Sequence, residues 1–136
     1  MAKIRTYVDS GMLLFAARGS SELSAAAMAI LDDPDRLFVS SDFVRLEVLP
    51  KAIYHKKFDE ANFYNVFFEM AQTTVQSTKH LIAAAQTEAE LVGLSAVDAL
   101  HIAAAKQAKC HEFITVEKST KPMFRVQGIA VRSLRG

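Results

Sequence analysis

Cysteine is almost missing from this chain. There is 1 among 136 residues, so no disulfide can form within it and a disulfide-stapled fold is excluded. A reducing compartment is the natural expectation. Tryptophan is absent, and proline (3) and glycine (5) are scarce. That excludes Pro/Gly-rich linkers, collagen-like repeats and low-complexity segments. Neither sign of charge dominates: 16 Lys plus Arg stand against 15 Asp plus Glu, a net +1. Attraction to polyanions through overall charge is excluded, and any nucleic-acid contact must come from a local patch. Long apolar runs are missing too. Charge interrupts each one well before the ~18 residues that a membrane-spanning helix requires. The opening Met1-Ala2-Lys3-Ile4-Arg5-Thr6-Tyr7-Val8 reaches Asp9 before the apolar stretch of a secretion signal develops. The expectation is an unprocessed cytoplasmic protein with no membrane partner.

What remains is an ordinary globular composition, 51% hydrophobic and 23% charged. The length suits a single domain over residues 1–136 and a core of useful size. Apolar or β-favouring runs predict strands at 4–8, 37–40, 112–116 and 129–132. Between them lie helical patterns. The first runs through Leu13 and Phe15 and ends near Gly19; the second goes from the Ser20-Ser21-Glu22 cap to Leu31. Ser41 caps a helix reaching toward Tyr54, with a kink or early stop at Pro50. Further helices cover 58–70, 79–92 with Gly93 closing it, and about 95–108 with Ser95 as cap. The last is apolar nearly all round and is therefore packed on more than one side. Strands spaced by whole helices argue for an α/β protein with a mostly parallel central sheet and helices on both faces. In such sheets, ligands bind outside the carboxyl ends of strands.

Four acids fall at such places. Asp9 follows the first strand and reads either as a crevice residue or as the N-cap of the next helix. Glu47 shares a helix face with Phe43, partly inward, or pairs on the surface with Lys51. Asp98 occupies the first turn after Ser95, where it complements the helix dipole; at the start of a buried element its carboxylate would need a partner. Glu117 follows the fourth strand as a site residue or as an exposed acid beside Lys118. Two carboxylates ~4 Å apart repel by about 4 kcal/mol at an effective dielectric of 20, so a cluster needs compensating cations. Oxygen-only donors suit Mg²⁺ or Mn²⁺, and no His/Cys spacing points to zinc.

These residues resemble the PIN domain, and within it the small ribonucleases of VapC-like toxin–antitoxin pairs. The resemblance spans nearly the whole chain. Tyr7-Val8-Asp9-Ser10-Gly11 resembles the opening strand with its first catalytic Asp. The segment from Phe43 to Ala52 resembles the helix that carries the family Glu. Gly93-Leu94-Ser95-Ala96-Val97-Asp98-Ala99-Leu100-His101-Ile102-Ala103-Ala104-Ala105 is the most specific match, and Phe113-Ile114-Thr115-Val116-Glu117-Lys118 resembles the late strand. The resemblance implies a three-layer α/β/α sandwich and a metal-dependent RNA endonuclease. Asp9, Glu47 and Asp98 would ligate Mg²⁺ or Mn²⁺, with Glu117 a further catalytic acid and Ser10 and Thr115 in support. Arg45, Lys51 and Lys118 are the nearest basic residues for RNA phosphates. A small antitoxin protein and a homodimer are the implied partners. Glu117 departs from the Asp common in the family, and Gly11 from a frequent polar residue.

Other residues are left in bland roles. His101, one turn after Asp98, reads as a packed or supporting histidine rather than a general base. His55, His80 and His111 have no convergent partners, and Cys110 lacks the positioned third group of a thiol nucleophile. Phe63, Phe67, Phe68 and Met70 recur at helical spacing as core or as a docking face for an antitoxin helix or a second copy. Two other readings compete: a PIN-like binding module without chemistry, for which Glu117 is the argument, and a phosphotransfer receiver, which lacks an evident acceptor Asp after a middle strand.

Overall fold

A computed structural model describes residues 2–136. The chain runs β1 (Ile4–Val8), α1 (Ser10–Ala17), α2 (Glu22–Leu31), β2 (Arg36–Ser41), α3 (Asp42–Tyr54), α4 (Phe58–Met70), β3 (Thr73–Val75), α5 (Lys79–Val92), α6 (Ala96–Gln107), β4 (Glu112–Thr115), a 3-10 turn (Pro122–Arg125) and β5 (Ala130–Ser133). The five strands lie in the order β3-β2-β1-β4-β5, and all four pairings are parallel. Parallel sheets need both faces covered, and six helices flank this one, in keeping with the expected α/β/α sandwich.

The order places the site. From β1 the chain steps outward through β2 and β3, then returns to the other side of β1 for β4 and β5. The direction reverses between β1 and β4, so the crevice of a doubly wound sheet opens at the carboxyl ends of these two strands. Their register pairs Val8 with Ile114, which sets Asp9 level with Thr115.

Local chemistry explains the element ends. Asp9, Ser21, Ser41, Thr78 and Ser95 each accept a hydrogen bond from a backbone N–H in the first turn of the helix they cap. Gly93 closes α5 with φ at 75°, a left-handed position that suits a residue without Cβ. Tyr7, Val8, Val39, Ile102 and Phe113 are fully buried at the centre of the core, with Tyr7 stacked on Phe113 at 5.2 Å. Helix α6 buries Ala99, His101, Ile102, Ala103, Ala104 and Ala105, as its apolar circumference implies.

The structure departs from the sequence expectation at two places. Helix α3 does not stop at Pro50 but continues to Tyr54. Pro50 removes one backbone donor, yet Pro50 and Leu46 are both exposed, so water can satisfy the freed carbonyl. Strand β3 was not expected; its two threonines are exposed and only Val75 is buried, so no apolar run announces this edge strand. The first helix begins at Ser10 with Asp9 as its cap, as one of the two readings of Asp9 expects.

Candidate functional site

Asp9 is anchored by the crevice and by the helix at once. Its backbone N–H donates to the Ile114 carbonyl at 3.2 Å. Its Oδ1 accepts from the Met12 N–H at 3.0 Å, and its Oδ2 accepts from the Thr115 hydroxyl at 2.5 Å. Both readings of Asp9 therefore hold. Gly11 sits close to the end of β4: a Cβ there would stand 2.9 Å from Val116 Cγ2, so that side chain would have to shift to admit one. Burial raises the Asp9 pKa to about 6, against the hydrogen bonds from Thr115 and Met12; the nearby Glu117 charge adds to the rise.

Glu47 reaches the same edge from α3. The Ser10 hydroxyl and His101 Nε2 both bond its Oε1, each at 2.6 Å. Among the described residues Oε2 has no protein partner. The side chain keeps 40% of its exposure, and no ion pair with Lys51 forms. The His101 hydrogen bond, with that of Ser10, holds the carboxyl below its ordinary pKa against the opposing effect of burial.

Behind Glu47 runs a buried chain of polar groups. Val44 N–H donates to Ser41 Oγ at 3.3 Å, Ser41 Oγ lies 2.7 Å from Tyr7 Oη, and Tyr7 Oη lies 2.7 Å from His101 Nδ1. An ionised Glu47 can only accept, so His101 Nε2 carries a proton. In a neutral ring Nδ1 is then an acceptor, Tyr7 donates to it, and Ser41 donates to Tyr7. Every group in the chain is satisfied with one direction of donation. Sequence reading left His101 as a supporting histidine and passed over Tyr7. The available signal was one imidazole in an otherwise apolar turn of α6, which in a buried place demands partners.

The other acids are held less firmly. Asp98 sits partly exposed at the start of α6, and its backbone N–H donates to Ser95 Oγ at 3.3 Å. Its carboxylate has no hydrogen bond or ion pair among the described residues, so the partner expected for it is not there. The first turn of α6 emerges from the core before the fully buried run begins, which removes the need. Glu117 is exposed; its backbone N–H donates to Thr115 Oγ1 at 3.0 Å, which leaves the threonine hydroxyl to serve Asp9. Of the basic candidates, Arg45 lies over the Phe68 ring at 5.2 Å, Lys51 is exposed on α3, and Lys118 lines a cavity beside Glu117. The Cys110 thiol is buried and its pKa is pushed up to about 12 by burial, in keeping with an inert residue.

The structure thus brings Asp9, Ser10, Glu47 and Thr115 to one edge, with Glu117 near enough to act on Asp9 electrostatically, and leaves Asp98 unattached. Among the described residues no three Asp, Glu, His or Cys side chains converge into a group that could enclose a metal ion. Magnesium, however, keeps several waters and is commonly held through one or two carboxylates. Two carboxylate side chains at one edge, Asp9 and a Glu47 whose Oε2 has no partner among the described residues, suit such an ion in donor chemistry.

An acid-lined crevice thus opens at the switch point of the parallel sheet of this α/β protein. Residues 6–120 match the PIN domain, and the chain belongs to that family. Comparison with curated proteins gives no match. Solved structures add the fold. A chain of VapBC2 from Rickettsia felis, bound to a promoter DNA fragment, superposes with TM-score 0.72 at 13% identity, covering 96% of this chain and 98% of that one. A toxin–antitoxin complex from Klebsiella pneumoniae gives 0.68 at 19%, covering 92% and 95%. VapBC-1 from nontypeable Haemophilus influenzae gives 0.66 at 10%, covering 98% and 100%.

Proposed function

We propose that residues 1–136 form a single PIN-like domain acting as a metal-dependent RNA endonuclease, the toxin of a toxin–antitoxin pair. The observation that carries this reading is that one sheet edge holds a buried Asp9 and, hydrogen-bonded to the neighbouring Ser10, a Glu47 whose Oε1 is engaged and whose Oε2 has no partner among the described residues. Membership of the PIN family and likeness to chains from VapBC and toxin–antitoxin complexes support it. Asp9, Glu47 and Asp98 would hold Mg²⁺ or Mn²⁺, with Glu117 contributing charge at the same edge. The chemistry such an ion would supply there is neutralisation of phosphate charge and a lowered pKa for water, which makes hydroxide available as the nucleophile. Ser10 and His101 fix the Glu47 rotamer, and Thr115 fixes Asp9. Arg45, Lys51 and Lys118 would meet flanking phosphates. Among the described residues no helix is long and apolar enough to cross a membrane, and we assign the protein to the cytoplasm.

Two apolar surfaces suit the proposed partners. Met28, Leu31, Phe63, Val66 and Met70 line a groove between α2 and α4 fit for an antitoxin helix. Ile82, Ala89 and Leu100 line another along α5 and α6, fit for a second copy of the chain. A second reading, a PIN-like binding module without chemistry, is favoured by one observation, the lack of three converging acids among the described residues. Incubating the purified protein with a mixed RNA pool and Mn²⁺ or Mg²⁺ separates the two. The nuclease reading expects cleavage that is lost with EDTA and in Asp98→Asn. Absence of both cleavage and metal binding would favour the module.

A further inference from the structure

The carboxyl edge carries a second chemistry beside the acids. An open cavity of about 480 Å³ is lined by Phe15, Val116, Glu117, Lys118, Lys121 and Arg135. Three of its six lining residues are cations in a protein whose net charge is only +1. Among the described residues none of the three forms an ion pair, although Glu117 belongs to the same wall. Arg135 is held in place rather than free. Its Nε donates to the Val116 carbonyl at 2.5 Å, and its guanidinium lies 5.8 Å over the Phe15 ring. Both terminal nitrogens remain without a protein acceptor, so the fork is oriented in advance with its donors available.

The fold delivers this arginine deliberately. Ser133 pairs with Thr115 in the register of β5 on β4, and the Leu134 N–H donates to the Thr115 carbonyl at 2.9 Å. Ser133 Oγ donates to the Glu117 carbonyl at 2.5 Å and accepts from the Arg135 N–H at 3.0 Å. The residues after β5 are thereby stitched to the end of β4, which supplies Thr115 to Asp9, and to the loop that follows it. Arg135 lies 126 residues from Asp9 in sequence, yet belongs to the same sheet edge.

The geometry points to a phosphate cradle formed by Arg135, Lys121 and Lys118, which takes a backbone phosphodiester of single-stranded RNA adjacent to the bond that the acids address. This rests on the nuclease reading above and adds a substrate subsite to it. A preset guanidinium fork matches two phosphate oxygens and the lysines supply point charges, while Glu117 in the same wall repels an anion toward the cationic side. The sequence reading placed phosphate contacts on Arg45, Lys51 and Lys118; of these Lys118 lines this cavity, while Arg45 lies over the Phe68 ring.

The test is binding of a mixed-sequence single-stranded RNA oligonucleotide to the full chain in EDTA, over a range of salt concentrations. Arg135→Ala and Lys121→Ala are each expected to weaken binding about tenfold and to lower the slope of log affinity against log salt by ~0.7 per lost phosphate contact. Lys3→Ala, at the opposite end of the sheet, should leave both unchanged. Lys121 is exposed, so its variant keeps the test valid if Arg135→Ala disturbs folding. Affinity and slope unchanged in both variants, while the wild-type protein still cleaves RNA with Mn²⁺, would overturn the cradle and leave the nuclease standing. No RNA binding and no cleavage by the wild type would overturn both. Polyglutamate binding that falls as steeply as RNA binding would reassign the cavity to an acidic protein segment and overturn the RNA assignment.

Discussion

His101 Nε2 and Glu47 Oε1 stand 2.6 Å apart, joining helices α3 and α6 across the carboxyl edge of the sheet. The imidazole is almost wholly buried while the carboxylate is half-exposed. The pair therefore links the core to the solvent-facing site. His101→Ala would leave the Tyr7 hydroxyl without its acceptor and open a cavity, at a cost of about 2–4 kcal/mol in stability. Loss of the donor to Glu47 should lower nuclease activity about 10–100-fold, the usual range for partners that orient metal-binding groups. His101→Gln, which can still donate near the Nε2 position, is expected to recover part of the activity but not all of the stability. Chemical denaturation and cleavage rates measured on the same preparations check both. Equal activity in the two variants would contradict the role.

Tyr7→Phe probes the same chain from behind. The ring would keep its stacking on Phe113, but His101 Nδ1 would lose its donor. A stability loss of about 1–3 kcal/mol is expected, with a smaller effect on cleavage than His101→Ala has.

Asp9 gives a prediction with a definite sign. Its folded pKa lies at about 6, above the ordinary 3.8. Such a carboxyl contributes stability that is fully present below the ordinary value and lost as pH rises through about 6. In EDTA at pH 8, Asp9→Asn should therefore stabilise the fold by on the order of 2 kcal/mol, a few degrees in Tm. At pH 4 the difference should vanish. Thermal melts at the two pH values decide it; a less stable variant at pH 8 would contradict the account.

The opposite edge of the sheet should behave in the reverse manner. Glu112 is 3% exposed, accepts from Thr6 Oγ1 at 2.7 Å and Arg36 Nε at 2.8 Å, and faces Arg132 at 3.4 Å. Burial pushes its pKa up, but the Arg36 and Thr6 hydrogen bonds outweigh it and hold the carboxyl below the ordinary 4.5. Its contribution is present above that value and is lost as pH falls through the lowered one. Glu112→Ala would strand Arg36, which also pairs with Asp33, and should cost about 3 kcal/mol. Cleavage by the variant, measured well below its melting temperature, should match the wild type because Glu112 lies at the amino ends of the strands.

Much of this architecture could be read from the chain, and the exceptions have physical causes. Strands β1, β2, β4 and β5 carry apolar runs and were legible to within a residue or two. β3 was not, because Thr73 and Thr74 face solvent. Pro50 misled because its position on α3 is exposed. Asp9 and Thr115 were legible as residues at strand ends. The Glu47–His101 bond was not, since 54 residues separate its partners and nothing in either helix encodes how α3 meets α6. Arg135 was invisible for the same reason, because its place depends on the register of β5 against β4.

The central claim is that the Asp9 and Glu47 carboxylates together bind a divalent cation. Mn²⁺ binding, followed by the loss of its free-ion electron paramagnetic resonance signal, measures this directly in the absence of RNA. The account predicts saturable binding to the wild-type protein, competition by Mg²⁺, weakening as pH falls through about 6 where Asp9 is protonated, and loss in both Asp9→Asn and Glu47→Gln. Binding that persists undiminished in both folded variants, or no binding by the wild type, would contradict it.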